Sequence, residues 1–155
     1  EFRRVLFRSF IAGSQQLRRT GEAACFAVTL RDSDTPIGIF QVRRLRSTEA
    51  DAPQVAGAMD TAEWGFAIGS PYWGTGIFAH AASLVIEFAF DRLGVHRLEA
   101  RCAAKNRRGS QALLKVGAEP EGLLRKSFLC RGQRIDQVLF TLDRKSTRLN
   151  SSHRT

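Results

Sequence analysis

The chain has 155 residues, enough for one domain able to bury roughly two-thirds of its unfolded surface. A hydrophobic content of 43% with 25% charged residues is that of a globular protein, and no run of ~20 apolar residues offers a membrane span. The net charge of +9 points toward nucleic acid until its distribution is examined.

Residues 1–9 hold three Arg and one Glu, and residues 144–155 hold four Lys or Arg and no acid. Without these ends, 17 basic and 14 acidic residues remain, a net of +3, so a nucleic-acid partner is not expected. Both ends read as cloning or adaptor sequence, to be set aside before the fold is considered. The expected domain is 10–143, with 1–9 and 144–155 as non-native or disordered tails and a native N-terminal strand and helix missing. Cys25, Cys102 and Cys130 lie far apart, are odd in number and lack C-x-x-C spacing. They read as reduced thiols of a cytoplasmic protein, with neither a disulfide frame nor a metal site.

In chain order, Phe10 to Arg19 is predicted as a short helix ended by Gly21. Cys25 to Leu30 alternates as a strand, Asp32 to Pro36 is turn chemistry, and Ile37 to Leu45 is the partner strand of a hairpin. Arg46 to Met59 is polar, alanine-rich and aperiodic, the longest predicted loop. The apolar run Trp64 to Ile68 then reaches Gly69-Ser70-Pro71 and a glycine pair, Gly74 and Gly76. Ile77 to Leu93 follows as a helix, apolar except for a stripe of His80, Ser83, Glu87 and Asp91, with Gly94 past its end. His96 to Ala103 is a strand with Leu98, Ala100 and Cys102 inward. Asn106 is a good N-cap for the helix Arg107 to Val116, which Gly117 closes. Leu123 to Cys130 and Ile135 to Leu142 are strands around the turn Arg131-Gly132-Gln133. The strand-helix-strand centre argues a locally parallel pair flanked by antiparallel hairpins, an α+β fold with a mixed sheet of about six strands.

Strand, glycine loop and helix start form an anion-site grammar. Glycine lets backbone approach a ligand, and the first helical turn offers unpaired N–H groups at the positive end of its dipole. The spacing is neither a P-loop nor a dinucleotide fingerprint, and the same glycines would also serve an ordinary strand-to-helix connection. Pro71-Tyr72-Trp73-Gly74-Thr75-Gly76 resembles the acetyl-CoA pyrophosphate loop of the GNAT superfamily of N-acetyltransferases, in the form of the branch that acetylates N-termini of ribosomal proteins. Pro71 stands where many members have Arg or Gln. Asn106-x-x-x-Ser110-x-x-Leu113-Leu114-x-x-Gly117 resembles the segment of that branch along the pantetheine arm. The likeness covers about residues 25–142 and implies the GNAT order without its first strand.

The resemblance implies acetyl-CoA as co-substrate, with the backbone of Phe66, Ala67 and Ile68 on the pantetheine arm and thioester carbonyl. Trp73, Gly74, Thr75, Gly76, Ile77 and Phe78 fall on the pyrophosphate, and Asn106 on the arm. Many members carry a tyrosine on the second helix as acid for the departing thiolate. Here none stands there, and by resemblance Ser110 takes the place. A serine is a poor donor to a thiolate whose conjugate acid has a pKa near ~8.5, so orientation of the sulfur is its expected role. Its alternative is a helix-face hydroxyl bonded one turn back.

Glu63, at the start of the strand leading into the site, is the candidate base acting through a water, or else a solvated strand-end carboxylate. His80 and His96 read as structural, Trp64 as core and Trp73 as a wall beside the loop. Cys102 reads as a core thiol without a paired histidine. The expected partners are acetyl-CoA and an amine, a protein N-terminal α-amine or a small amine, with a homodimer as an option. A CoA-binding module without turnover and a ribosome- or RNA-associated protein, the latter on Arg43, Arg44 and Arg46, are the alternatives.

Overall fold

The computed structural model describes residues 2–45 and 60–144. The elements run α1 (Phe2–Arg19), β1 (Ala23–Thr29), β2 (Pro36–Arg44), β3 (Thr61–Ile68), a 3₁₀ turn (Ser70–Tyr72), α2 (Ile77–Asp91), β4 (Arg97–Ala103), α3 (Arg107–Lys115), β5 (Glu119–Cys130) and β6 (Gln133–Asp143). The six strands form one sheet in the order β1-β2-β3-β4-β6-β5. Among the described strands only β3 and β4 run parallel, joined through α2, and the pairs on either side are antiparallel. This is the expected mixed α+β arrangement.

Two boundaries differ from the expectation. Helix α1 begins at Phe2 and takes in most of the segment set aside as a tail. Phe2, Leu6 and Phe10 recur every four residues, a helical repeat that crosses the boundary drawn at Phe10. Strand β5 runs from Glu119 through Pro120 and Gly122, where a connection was expected. It is an edge strand, where proline is tolerated, and its register shifts between Pro120 and Gly122. The predicted loop Arg46 to Met59 and the end 145–155 lie outside the described residues.

The core lies between one sheet face and helices α2 and α3. Phe40 and Val42 of β2, Ala62 and Trp64 of β3, and Leu98, Ala100 and Cys102 of β4 meet Ala82, Val85, Ile86, Ala89 and Phe90 of α2 and Leu113 of α3. Phe40, Trp64, Phe66 and Phe78 form an aromatic cluster, with Phe66 and Phe78 centroids 4.5 Å apart. The polar stripe of α2 faces solvent as its spacing implies, and Leu84 joins it at 56% exposed, so α2 is less enclosed than its composition suggested.

The end of β3 is pressed closely onto β2. A Cβ added at Gly38 would fall 2.8 Å from the Ala67 carbonyl oxygen and 2.4 Å from Ile68 Cδ1, whereas one at Gly65 would meet nothing within 4 Å. The Ile68 methyl can turn aside, but the carbonyl is backbone. Gly38→Ala is therefore expected to lower stability by about 1–3 kcal/mol, and Gly65→Ala to change it by less than about 1 kcal/mol. Urea unfolding of the two variants checks this, and equal losses would contradict it.

Candidate active site

Strands β3 and β4 pair only through Thr61, Ala62 and Glu63 with Arg97, Leu98 and Glu99. Beyond that point each keeps its outer neighbour, β3 with β2 as far as Ile68 and β4 with β6 as far as Ala103. The two therefore part, and a wedge opens between Trp64–Ile68 and Ala100–Ala103. Helices α2 and α3 follow these strands directly, so both N-termini lie at the open end of the wedge.

Past Ile68 the chain makes a tight turn. Gly69 N donates to the Ile37 carbonyl at 2.8 Å, Tyr72 N to the Gly69 carbonyl at 3.0 Å, and the Thr75 hydroxyl to the Tyr72 carbonyl at 2.7 Å. Gly74 and Gly76 have φ of 78° and 86°, left-handed values that side chains rarely adopt, and no atom outside the loop lies within 4 Å of either Cβ position. Gly76 is the N-cap of α2 and supplies no side-chain acceptor, so the first-turn N–H groups of Ile77, Phe78 and Ala79 remain available to a ligand. The side chains of Phe66 and Phe78 turn into the aromatic cluster, leaving their backbone to the wedge.

The second helix start is different, because it is capped from within. Asn106 Oδ1 accepts from Gly109 N at 3.0 Å. The Ser110 hydroxyl donates to the Asn106 carbonyl at 3.2 Å, one turn back, and lies 3.8 Å from Cys102 Sγ. The Cys102 thiol, buried at the end of β4, is 3.6 Å from the same carbonyl. Gly109 permits this closeness, since a Cβ there would sit 2.7 Å from Cys102 Sγ. Asn106 and Ser110 thus come together at the mouth of the wedge on the helix-covered face.

Glu63 is the last β3 residue paired to β4 and points from the opposite face. Arg43, its register partner on β2, donates to Oε2 at 2.6 Å, and Arg101 reaches Oε1 at 2.8 Å. Burial alone would raise this carboxyl's pKa, but hydrogen bonds and charge from Arg43 and Arg101 outweigh it and hold the group below its ordinary value. Glu63 sits beside Glu99 in the ladder, and Arg101 bridges the two carboxylates. Arg97 extends the row to Glu99 at 3.0 Å and, with both terminal nitrogens at 2.9 Å, to Glu121. That row was not anticipated, although Arg97, Glu99 and Arg101 alternate in the sequence against buried Leu98 and Ala100. It also removes Arg43 from any free basic patch; Arg46 lies outside the described residues.

The remaining candidates fall as follows. Trp64 is core, at 2% exposed, while His80 and His96 are on the surface. Trp73 is 48% exposed, its indole N–H donates to the Ile68 carbonyl at 2.8 Å, and the Arg108 guanidinium lies 3.8 Å from its ring centroid. A separate apolar cavity of about 740 Å³ lies between β1 and α2, bordered by Phe26, Val28, Leu30 and Leu84 and touching the loop at Thr75 and Gly76. Among the described residues no group of three His, Cys, Asp or Glu side chains is placed to hold a metal ion, and no helix is long and apolar enough to cross a membrane.

Residues 3–119 match the family model described as "Acetyltransferase (GNAT) domain". The chain is 34% identical over 116 residues to "Probable N-acetyltransferase YjcK" of Bacillus subtilis (strain 168), covering 73% of this chain and 64% of that one. It is 30% identical over 88 residues to the [ribosomal protein uS5]-alanine N-acetyltransferase of Escherichia coli (strain K12), covering 57% of this chain and 45% of that one. In three dimensions it is similar to Mycobacterium smegmatis RimJ solved in complex with CoA-disulfide, with a TM-score of 0.78, 23% identity, and coverage of 96% and 68% of the two chains. The chain thus spans between about half and two-thirds of the length of these relatives. With the parted parallel strands and the glycine loop at the start of α2, the family match leads to one conclusion: the chain belongs to the GNAT family of acetyl-CoA-dependent N-acetyltransferases.

Proposed function

We propose that the protein moves the acetyl group of acetyl-CoA to a primary amine by direct attack, with no acyl-enzyme intermediate. The observation that carries this reading is the uncapped N-terminus of α2, behind Gly74 and Gly76, at the open end of the wedge between β3 and β4. On this reading the pyrophosphate lies on the N–H groups from Trp73 to Phe78. The pantetheine arm runs into the wedge along Phe66 to Ile68, with Asn106 on its other side. Cys102 is buried against α3 with no histidine beside it, which favours direct transfer over a cysteine nucleophile.

The acceptor we favour is a protein N-terminal α-amine, a reading supported by the relative named as a [ribosomal protein uS5]-alanine N-acetyltransferase. The chemistry is compatible. At pH about 7.5, a quarter to two-fifths of an α-amine is neutral and able to attack, against roughly one lysine amine in a thousand. Such a substrate needs little from a base, and a carboxylate held by two arginines is a weak one. We therefore assign Glu63 to shaping the acceptor face, in place of proton abstraction, and Ser110 to orienting the thioester sulfur after its hydroxyl turns from the Asn106 carbonyl. The amine would then attack the acetyl carbon from the acceptor face, a C–N bond forming as the C–S bond breaks, with the CoA thiolate leaving beside Ser110 on the helix face and taking up, through solvent, the proton that the amine sheds.

Gly76→Val adds a branched side chain where φ is 86° and a ligand must approach the backbone. Calorimetry should show CoA affinity lost with the fold intact, and unchanged affinity would remove the loop from the site. Ser110→Ala should lower kcat by about ten- to a hundredfold, equivalent to about 1.4–2.7 kcal/mol, with little change in KM for acetyl-CoA. A loss confined to KM would contradict orientation of the sulfur.

Glu63→Gln separates structure from catalysis by pH. A carboxylate with a depressed folded-state pKa contributes stability that is present above its unfolded value of about 4.3 and lost as pH falls through the folded value. The variant should be less stable than the parent at neutral pH, and the gap should close under acid. Its rate should follow the parent's pH profile, rising toward the acceptor amine pKa of about 8. A variant that loses rate selectively at low pH and recovers above pH 8 would restore Glu63 as the base.

A further inference from the structure

Arginines on the open face of the sheet are matched by carboxylates: Arg43 by Glu63, Arg97 by Glu99 and Glu121, and Arg101 by Glu63 and Glu99. Arg108, in the first turn of α3, has no carboxylate partner among the described residues. Its guanidinium carbon instead lies 3.8 Å from the centroid of the Trp73 ring. That ring is fixed, because its N–H is held by the Ile68 carbonyl and its backbone N–H by the Ser70 carbonyl at 3.2 Å. Trp73 immediately precedes Gly74. The contact therefore carries a full positive charge from α3 across the mouth of the wedge to the edge of the glycine loop.

Its own segment does not compensate this charge. From Ala104 to Ala118 the chain holds Lys105, Arg107, Arg108 and Lys115 and no acid. An indole face is a weak partner for a guanidinium at an exposed position, whereas phosphate oxygens match its planar fork and can accept two charge-assisted hydrogen bonds. A phosphate on the loop would compete with the ring for the Arg108 guanidinium.

We propose that Arg108 is a cofactor-specificity residue that reads the phosphate charge of acetyl-CoA at the glycine loop, with Trp73 as the shelf that holds its guanidinium there. The inference rests on the loop assignment under Proposed function. It adds a second segment, 32 residues after Gly76 in the chain, to the recognition of the same cofactor end.

The test compares acetyl-CoA with acetyl-pantetheine, which carries the same thioester and no phosphate. Arg108→Gln should raise KM for acetyl-CoA by about ten- to thirtyfold, the loss expected for a charge-assisted contact, with kcat held and KM for acetyl-pantetheine unchanged. Arg108→Lys, which keeps the charge, should recover most of that affinity. An unchanged KM for acetyl-CoA in Arg108→Gln would overturn the proposal. So would an equal rise for both thioesters, which would mean that the stacking contact is structural. Gly76→Val keeps the two readings apart: if it leaves CoA affinity intact, the loop assignment fails and this inference with it. If it abolishes affinity while Arg108→Gln does not weaken it, the role of Arg108 alone falls.

Discussion

Strands β3 and β4 share a ladder for three residues and then separate, while each stays hydrogen-bonded on its outer side along the rest of its length. Backbone groups inside a sheet are costly to leave unpaired away from water, so such a parting must be held open by what surrounds it. Two packings do this. On one side the Phe40, Trp64, Phe66 and Phe78 rings hold the end of β3 against β2 and α2. On the other, Leu98, Ala100 and Cys102 seat the end of β4 beneath Leu113 of α3. The site is the space left between two well-packed halves, and every candidate residue belongs to one of them.

The division extends to the chemistry of the two sheet faces. The helix-covered face is apolar up to the wedge, where Asn106, Ser110 and Cys102 form a short polar cluster. The opposite face carries the row Arg43, Glu63, Arg101, Glu99, Arg97 and Glu121, in which positive and negative groups alternate. Partly covered charges are tolerable when paired, and a row of this kind settles Glu63 beside Glu99 where two adjacent carboxylates would otherwise repel. It also sets a limit on chemistry, since a carboxylate that satisfies two guanidiniums has less affinity for a proton.

Much of the fold was legible because it is encoded locally. The alternation of Leu98, Ala100 and Cys102, the polar stripe of α2 and the cap at Asn106 each depend on residues within a turn or two of one another. The glycine loop was legible for the same reason, since positive φ at Gly74 and Gly76 is a property of those residues. What escaped depends on register between distant segments. The β3–β4 ladder, the pairing of Glu63 with Arg43 and Arg101, and the stacking of Arg108 on Trp73 join residues 20 to 38 positions apart, with no local signature. The start of α1 is obscured differently: Arg3, Arg4 and Arg8 are interleaved with the four-residue spacing of Phe2, Leu6 and Phe10.

The salt-bridge row has a kinetic side as well. Its three arginines and three glutamates cancel, so that face contributes little to the field felt at a distance. The cations of Ala104 to Ala118 have no such counterweight in their own segment, and Arg108 among them reaches the loop end of the wedge. On the proposed reading, an anionic ligand approaching through solvent therefore meets an attractive potential on the side assigned to its phosphates, and a near-neutral one on the face assigned to the acceptor. Attraction of this kind raises encounter rates before any contact forms, and it fades as the screening length shrinks to about 10 Å near 0.1 M salt.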